Sequence, residues 1–325
     1  MTDYKDTIIA ELRVLEAVAP LEAAGTFKAR AYATGIKTIA ALPRVTSAED
    51  LPPAAKGDGL GKEIRAKILR ILEYGGLDIE PEVRAKATAL TAFRGIYGVG
   101  PKKAEDLVAA GYTTIAAVRT AAAKNPKLLN KNQHVGLRYY EDINSRILRS
   151  EMDEHAALLM ATKPPALEGV IVGSYRRGCT SSGDIDMLIR TADASVDAGS
   201  ALAAYVADLK ARGYIREVLA QGEHKCLAVA ALPGDHKARR LDLLVTPPAE
   251  FPFAVLYFTG SDGFNVAMRA HALTRGFTLN EHALTQVSSG KTVSGIKSER
   301  DIFAALKLKW REPTERTGAE ACIPL

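Results

Sequence analysis

The spacing of apolar residues changes once along this 325-residue chain, and that change constrains the fold more than any other feature. Up to about residue 150, apolar side chains recur at intervals of three and four, as in IIAELRVLEAVAPLEA (8–23) and GKEIRAKILRILEYG (61–75). That is the period of a helix with one buried face. Gly/Pro clusters at 51–53, 57–61, 74–76 and 98–101 separate these segments. From about residue 168 the segments become short and β-rich: GVIVGSY, DIDMLI, CLAVAAL and RRLDLLVT, with one helix, VDAGSALAAYVADLKARG, among them. After residue 250 come FAVLYFTGSDGF, a helix NVAMRAHALTRG, short strands and a helix DIFAALKL. The expected fold is multidomain, with an all-α N-terminal half, then a mixed α/β domain and a small α+β subdomain. The boundaries give four parts: 1–85, 86–150, 151–260 and 261–325.

Charge is unevenly spread. Residues 91–150 carry 10 basic and 4 acidic residues, net +6 of a whole-chain net of +5. A polyanion would dock there, although a solvated basic face reads equally well. The same stretch holds one copy of an internal repeat. GDGLGKEIRAKILRILEYGGL (57–77) resembles GIYGVGPKKAEDLVAAGYTTI (95–115). Each has glycines in a tight turn and then a basic helix start, the sequence form of a helix–hairpin–helix. Gly59 and Gly61, and Gly98 and Gly100, would let backbone N–H groups approach a phosphate closely, and Lys102 follows the second turn. A plain helical hairpin is the alternative. The three cysteines, Cys179, Cys226 and Cys322, form no CxxC pair, which argues against a zinc site or disulfide framework. No run of about 18 apolar residues occurs, so no transmembrane helix is expected.

The most informative stretch is GVIVGSYRRGCTSSGDIDMLIR (169–190). Asp184 and Asp186 are two apart, so on a strand both carboxylates face one side. Carboxylates so close repel unless a cation lies between them, and their hard oxygens suit Mg²⁺. Asp242 stands alone in the apolar strand RRLDLLVT, where an unpaired carboxylate is costly. A neighbouring strand would bring it to the pair and complete a two-ion site. Upstream, Gly173-Ser174 can open a helix toward a phosphate, Arg176 and Arg177 offer guanidinium donors, and Ser182-Gly183 would turn against the aspartates. This order is the layout of a nucleotidyltransferase.

With these residues in place, the chain resembles the family X DNA polymerases over nearly its whole length. GSYRRGCTSSGDIDMLI is similar to the family's catalytic signature. QGEHKCLAVAALP with RRLDLLVTP resembles its next two palm strands. VLYFTGSDGFNVAMRAHALTRGFTLNEHAL and DIFAALKLKWREPTER resemble its C-terminal part. The resemblance implies an α/β nucleotidyltransferase palm that binds two Mg²⁺ ions, for which Mn²⁺ can substitute, through Asp184, Asp186 and Asp242. It implies triphosphate contacts from Ser174, Arg177, Gly183 and Arg146. Tyr257, Phe258, Gly260, Asp262 and Asn265 would face the sugar and base, Arg269 the template side, and Arg240 the DNA. Carbonyls of Ala55, Gly57 and Leu60, and of Arg94, Ile96 and Val99, would hold Na⁺ or K⁺ at the two hairpins. Lys67 matches the Schiff-base lysine of a 5′-deoxyribose-phosphate lyase, with a solvated lysine as the alternative. Partners would be gapped or primer-template DNA and dNTP. The protein would act as a monomer in DNA repair, in the nucleus by analogy. Leu244 replaces a basic residue of the pattern, Val266 a lysine and His282 a tyrosine. A template-independent terminal transferase is the enzymatic alternative, but such enzymes carry a long loop where Pro233–Ala238 leaves about six residues. A non-catalytic DNA-binding protein is the alternative of another class.

Overall fold

A computed structural model of the chain describes residues 2–19, 23–52, 60–191 and 196–325. The backbone divides into two compact units, residues 1–140 and 141–325.

The first unit is helical and has two cores. Helices α1 (Lys5–Ala17), α2 (Ala23–Ala41) and α3 (Lys62–Tyr74) enclose Ile8, Leu12, Ile39, Ile64, Ile68 and Ile71. Ile8 and Leu12 of α1, and Ile64, Ile68 and Ile71 of α3, lie three or four apart, as the helical period requires. Helices α4 (Pro81–Arg94), α5 (Pro101–Ala109), α6 (Ile115–Lys124) and α7 (Lys131–Arg138) surround Leu90, Phe93, Ile96, Leu107 and Val118. Both α4 and α5 begin with proline, which costs nothing where the first N–H has no helical partner. A bidentate pair links the two parts: Arg84 on α4 donates to Glu11 on α1 at 2.8 and 2.9 Å.

The turn between α4 and α5 is tight. Gly98 has φ of +81°, in the left-handed region where a side chain is strained. Its carbonyl accepts from the Gln133 amide at 2.9 Å. The backbone of Tyr97 passes so near Gly136 on α7 that a Cβ there would lie 2.6 Å from its N and O atoms.

Helix α8 (Tyr140–Ile143) starts at the last residue of the first unit, and β1 (Ile147–Leu148) and α9 (Arg149–Thr162) follow in the second. Next come β2 (Leu167–Ile171), α10 (Gly173–Arg176), β3 (Ser181–Ser182), β4 (Ile185–Thr191), α11 (Ala198–Ala211), β5 (Ile215–Gln221), β6 (Lys225–Ala230) and β7 (Arg239–Val245). Five strands form one sheet in the order β2-β4-β7-β6-β5. β4 and β7 run parallel and the other neighbours antiparallel. One face packs on α9 and α11 through Met187, Ile189, Leu241, Leu243, Leu202 and Tyr205. The other face carries Leu188 and Leu244 against Ala254 and Val255 of α12 (Phe251–Thr259).

The chain closes with α13 (Asp262–Thr274), the hairpin β8 (Phe277–Leu279) and β9 (Leu284–Gln286), and α14 (Glu299–Ala305). Phe264, Met268, Leu284, Ile302 and Phe303 form their core. Arg316 is fully buried beside the rings of Phe264, Phe303 and Trp310. Its charge is balanced by Glu299 at 2.6 Å.

Candidate active site

Asp186 lies on β4 directly opposite Asp242 on β7 in the parallel register. Odd-numbered residues of both strands face α9 and α11, so Asp186 and Asp242 share the other face with Leu188 and Leu244. Asp184 precedes β4 on the same side. The aspartate predicted to arrive from a distant strand thus sits beside the pair, brought there by sheet pairing across more than fifty residues.

The electrostatics are those of crowded like charges. Burial pushes the Asp186 carboxyl up to about 7, and Asp184 and Asp242 push it the same way. Burial also raises Asp242. Among the described residues, no three carboxylate, imidazole or thiol groups close around one point. Instead Arg240 Nη2 bridges Asp184 Oδ2 at 3.2 Å and Asp242 Oδ2 at 3.3 Å. Arg240 was expected to face DNA, and it stands here as the neighbouring cation of the carboxylates.

A cleft of about 640 Å³ opens in front of the aspartates. Arg146, Gly173, Ser174, Arg177, Cys179 and Gly183 line one side. Tyr257, Phe258, Gly260, Asp262, Asn265, Val266 and Arg269 line the other, with Asp184 and Asp186 between. Every residue predicted to contact a nucleotide therefore reaches one cavity, as does Arg269.

Local chemistry sets each position. Gly173 opens α10 with φ of +65°, and a Cβ there would lie 2.8 Å from Asp186 Oδ2. Only glycine lets the helix start this close to the carboxylate. Ser174 Oγ donates to Ser182 Oγ at 2.9 Å. Arg146 lies along the same loop, donating from Nε to Ser181 Oγ at 3.1 Å and from Nη2 to the Ser181 carbonyl at 2.6 Å. Arg177 Nη1 donates to the Thr259 carbonyl at 2.5 Å. The Tyr257 carbonyl accepts from Asn265 Nδ2 at 2.7 Å, and Arg269 lies 4.9 Å from the Tyr257 ring centroid. Arg269 also reaches Glu281 at 3.7 Å.

Three family models match consecutive parts of the chain. They are the fingers domain of DNA polymerase lambda over residues 91–144, the DNA polymerase beta palm over 146–248 and the DNA polymerase beta thumb over 254–317. DNA polymerase lambda of Rattus norvegicus is 31% identical over 334 aligned positions, covering 97% of this chain and 56% of that protein. DNA polymerase lambda of Arabidopsis thaliana is 32% identical over 282, covering 79% and 52%. The chain belongs to the family X DNA polymerases. It spans about half the length of each of these family members.

Within this family X chain, two local readings of the sequence need correction. Arg176 does not reach the cleft with Arg177. Its guanidinium pairs with Glu299 at 2.6 Å and Thr259 Oγ1 at 2.7 Å, because the helical turn of α10 separates the two side chains. The turn read at Ser182-Gly183 falls one residue later, at Gly183-Asp184 between β3 and β4, and Ser182 itself is in a strand. It ends strand β3, which pairs with β1 at Ile147.

Ala55, Gly57 and Gly59, assigned to the first hairpin, lie outside the described residues, whereas Leu60 is buried and Gly61 caps α3. Arg94 ends α4, Ile96 and Val99 are buried in the following turn, and Gly100 caps α5. Lys102 pairs with Asp106 at 3.0 Å on the surface of α5, and Lys67 is half-buried on α3.

Several polar residues were not anticipated from sequence. Glu299 holds Arg176 and Arg316, Glu151 holds Arg239, and Tyr175 lies under Arg149 at 3.9 Å. Glu299 and Glu151 occupy helix positions that read as solvated charge. Their pairing depends on arginines 17 to 123 residues away.

Proposed function

We propose that this chain is a template-directed DNA polymerase that fills short gaps during DNA repair, moving a nucleotidyl group from a dNTP to a primer 3′-hydroxyl. The observation that carries this reading is the register that sets Asp242 opposite Asp186 beside a cleft lined by Ser174, Arg177 and Arg146.

Crowded carboxylates with hard oxygen donors fit divalent cations, and the burial and like-charge repulsion that raise Asp186 are what a bound cation would offset. Asp184, Asp186 and Asp242 would hold Mg²⁺, or Mn²⁺ in its place. Such ions, when bound, polarise the attacking oxygen and neutralise charge on the phosphates.

The protein's own groups do the rest. Ser174, Arg146, Arg177 and the Gly183 backbone hold the triphosphate and aim it. The 3′-hydroxyl gives up its proton to solvent and its oxygen forms a bond to the α-phosphorus as the bond from that phosphorus to the α–β bridging oxygen breaks, and pyrophosphate departs. Tyr257, Phe258 and Gly260, with Asp262 and Asn265, shape the sugar and base side. The Tyr257 carbonyl would crowd the 2′ position and favour dNTP over rNTP. Arg269 faces the pair from the template side.

The start of α3 at Gly61 and the turn at Gly95–Gly100 act as helix–hairpin–helix grips on the DNA backbone. Arg94, Ile96 and Val99 carbonyls hold Na⁺ or K⁺ there. Lys67 carries 5′-deoxyribose-phosphate lyase chemistry. The protein works as a monomer. Template use is favoured over terminal transfer because only eight residues, 231–238, join β6 to β7.

Primer extension tests the reading. The unmutated protein should add a templated nucleotide to a gapped primer and none to an untemplated single strand. Asp242→Ala should abolish addition while leaving gapped-DNA binding nearly intact. Retention of more than a small fraction of the rate by Asp242→Ala would refute the assignment of the carboxylates.

A further inference from the structure

β7 opens with two adjacent arginines, and strand alternation sends them to opposite faces. Arg240 meets the carboxylates, whereas Arg239 enters the α9 face and is 3% exposed. A guanidinium buried this far is costly unless its donors are satisfied.

All three of its nitrogens are engaged. Nε and Nη2 form a fork on Glu151 at 2.6 and 2.7 Å. That pair alone would balance the charge. Nη1 does something else. It donates to the carbonyls of Asp142 and Ser145, each at 3.1 Å, and to Ser145 Oγ at 2.8 Å. These acceptors belong to one turn, closed on itself where Ser145 N and Oγ donate to the Asp142 carbonyl at 3.1 and 2.8 Å. A second strap runs beside the first: the Ala238 N–H donates to Asp142 Oδ2 at 2.9 Å. The residue that follows this turn is Arg146, whose guanidinium lies in the cleft. Three residues beyond Arg239 on a rigid strand is Asp242.

We propose that Arg239 is a positioning residue that ties the turn carrying Arg146 to the strand carrying Asp242, fixing the spacing between the triphosphate cation and the carboxylates. This rests on the polymerase reading above. Arg239 itself touches no substrate. Its effect passes through Arg146, so the two residues act as one unit. Groups coupled in this way show non-additive effects, which a double-mutant cycle isolates.

The experiment measures kcat and KM for dNTP on a single-nucleotide gapped primer-template. It compares the unmutated protein, Arg239→Met, Arg146→Ala and the double variant, each checked for folding by thermal denaturation. Arg239→Met should raise KM about tenfold, less than the roughly 100-fold that a misplacement of about 1 Å can cost. KM should move more than kcat. In the Arg146→Ala background the same substitution should change KM less than about twofold. Arg239→Lys, which keeps the charge but not the fork, should restore part of the loss.

An equal KM penalty in both backgrounds, or no penalty, overturns the inference. Ser145→Ala removes the closest Nη1 acceptor and carries the same cycle if Arg239→Met does not fold, and additivity there overturns it equally. Failure of the unmutated protein to extend the primer sinks the polymerase reading and this inference together, whereas additivity in an active protein sinks only the inference.

Discussion

Replacing Asp186 by asparagine should stabilise the metal-free protein while ending nucleotide addition. Its carboxyl is pushed from an ordinary 3.8 up to about 7, by burial first and then by Asp184 and Asp242. The folded state therefore holds this proton more tightly than the unfolded chain does. Between pH 3.8 and about 7 the unfolded chain binds fewer protons, so stability falls as pH rises through that window. At 1.36 kcal/mol per pH unit, the rise from 3.8 to about 7 costs about 4 kcal/mol once pH exceeds the folded value. Asparagine has the same shape and no charge, and recovering half of that cost would be worth about 2 kcal/mol.

For a unit the size of residues 141–325, this corresponds to a rise in Tm of about 4–8 °C. The assay is thermal denaturation in a chelator at pH 8 and again at pH 4. Asp186→Asn should melt higher than the unmutated protein at pH 8, and the gap should nearly close at pH 4, where the unmutated carboxyl is protonated. Added Mn²⁺ should raise the Tm of the unmutated protein and do little for the variant, since a cation that binds the folded site stabilises it by mass action. If Asp186→Asn melts at or below the unmutated protein at pH 8 in chelator, the cost assigned to a buried and crowded carboxylate at this site is wrong.

Three further outcomes follow from particular contacts. Gly98→Val places a β-branched residue at φ of +81° with its Cβ 3.4 Å from Gln133, so gapped-DNA affinity should fall alike for every sequence, because phosphate contacts do not read bases; a sequence-confined loss in binding titrations would contradict the grip. Borohydride should trap an adduct on a 5′-deoxyribose-phosphate substrate that disappears in Lys67→Ala, and no adduct from the unmutated protein would remove the lyase assignment while leaving polymerase chemistry untouched. Burial holds His155 down at about 4, against 6.5 unfolded, so the unfolded chain binds the extra proton and stability should fall by about 3 kcal/mol as pH drops from 6.5 to 4; His155→Gln should lose that slope in denaturant titrations, and an unchanged slope would count against it.

Much of the site was legible because its signal is local. GSYRRGCTSSGDIDMLI keeps a glycine turn, a cationic segment and paired carboxylates within 17 residues, so neither turn nor strand needs distant contacts to place them. The lone Asp242 was legible for a different reason: its position in an apolar strand demanded a compensating partner. The α4–α5 turn was readable from its glycines, since Gly98 does adopt the positive φ that only glycine takes freely. The adjacent arginine pairs were not readable in the same way. Arg176 and Arg177 look interchangeable in sequence, as do Arg239 and Arg240. One of each pair reaches the cleft or its carboxylates and the other is taken by a glutamate distant in the chain.

Local periodicity by itself determined that the N-terminal half is helical, that Asp184 and Asp186 share a face, and that the glycines mark turns. These are properties of a backbone with period 3.6 or 2, and they hold before any packing occurs. The tertiary structure decided that β7 lies parallel beside β4, and only that pairing sets Asp242 opposite Asp186. It also decided which arginine of each pair is taken up by a glutamate, and for Arg239 that pairing accompanies burial, because a guanidinium leaves water only where its donors are met. The acceptors for Arg176 and Arg239 come from Glu299 and Glu151, 123 and 88 residues away in the chain.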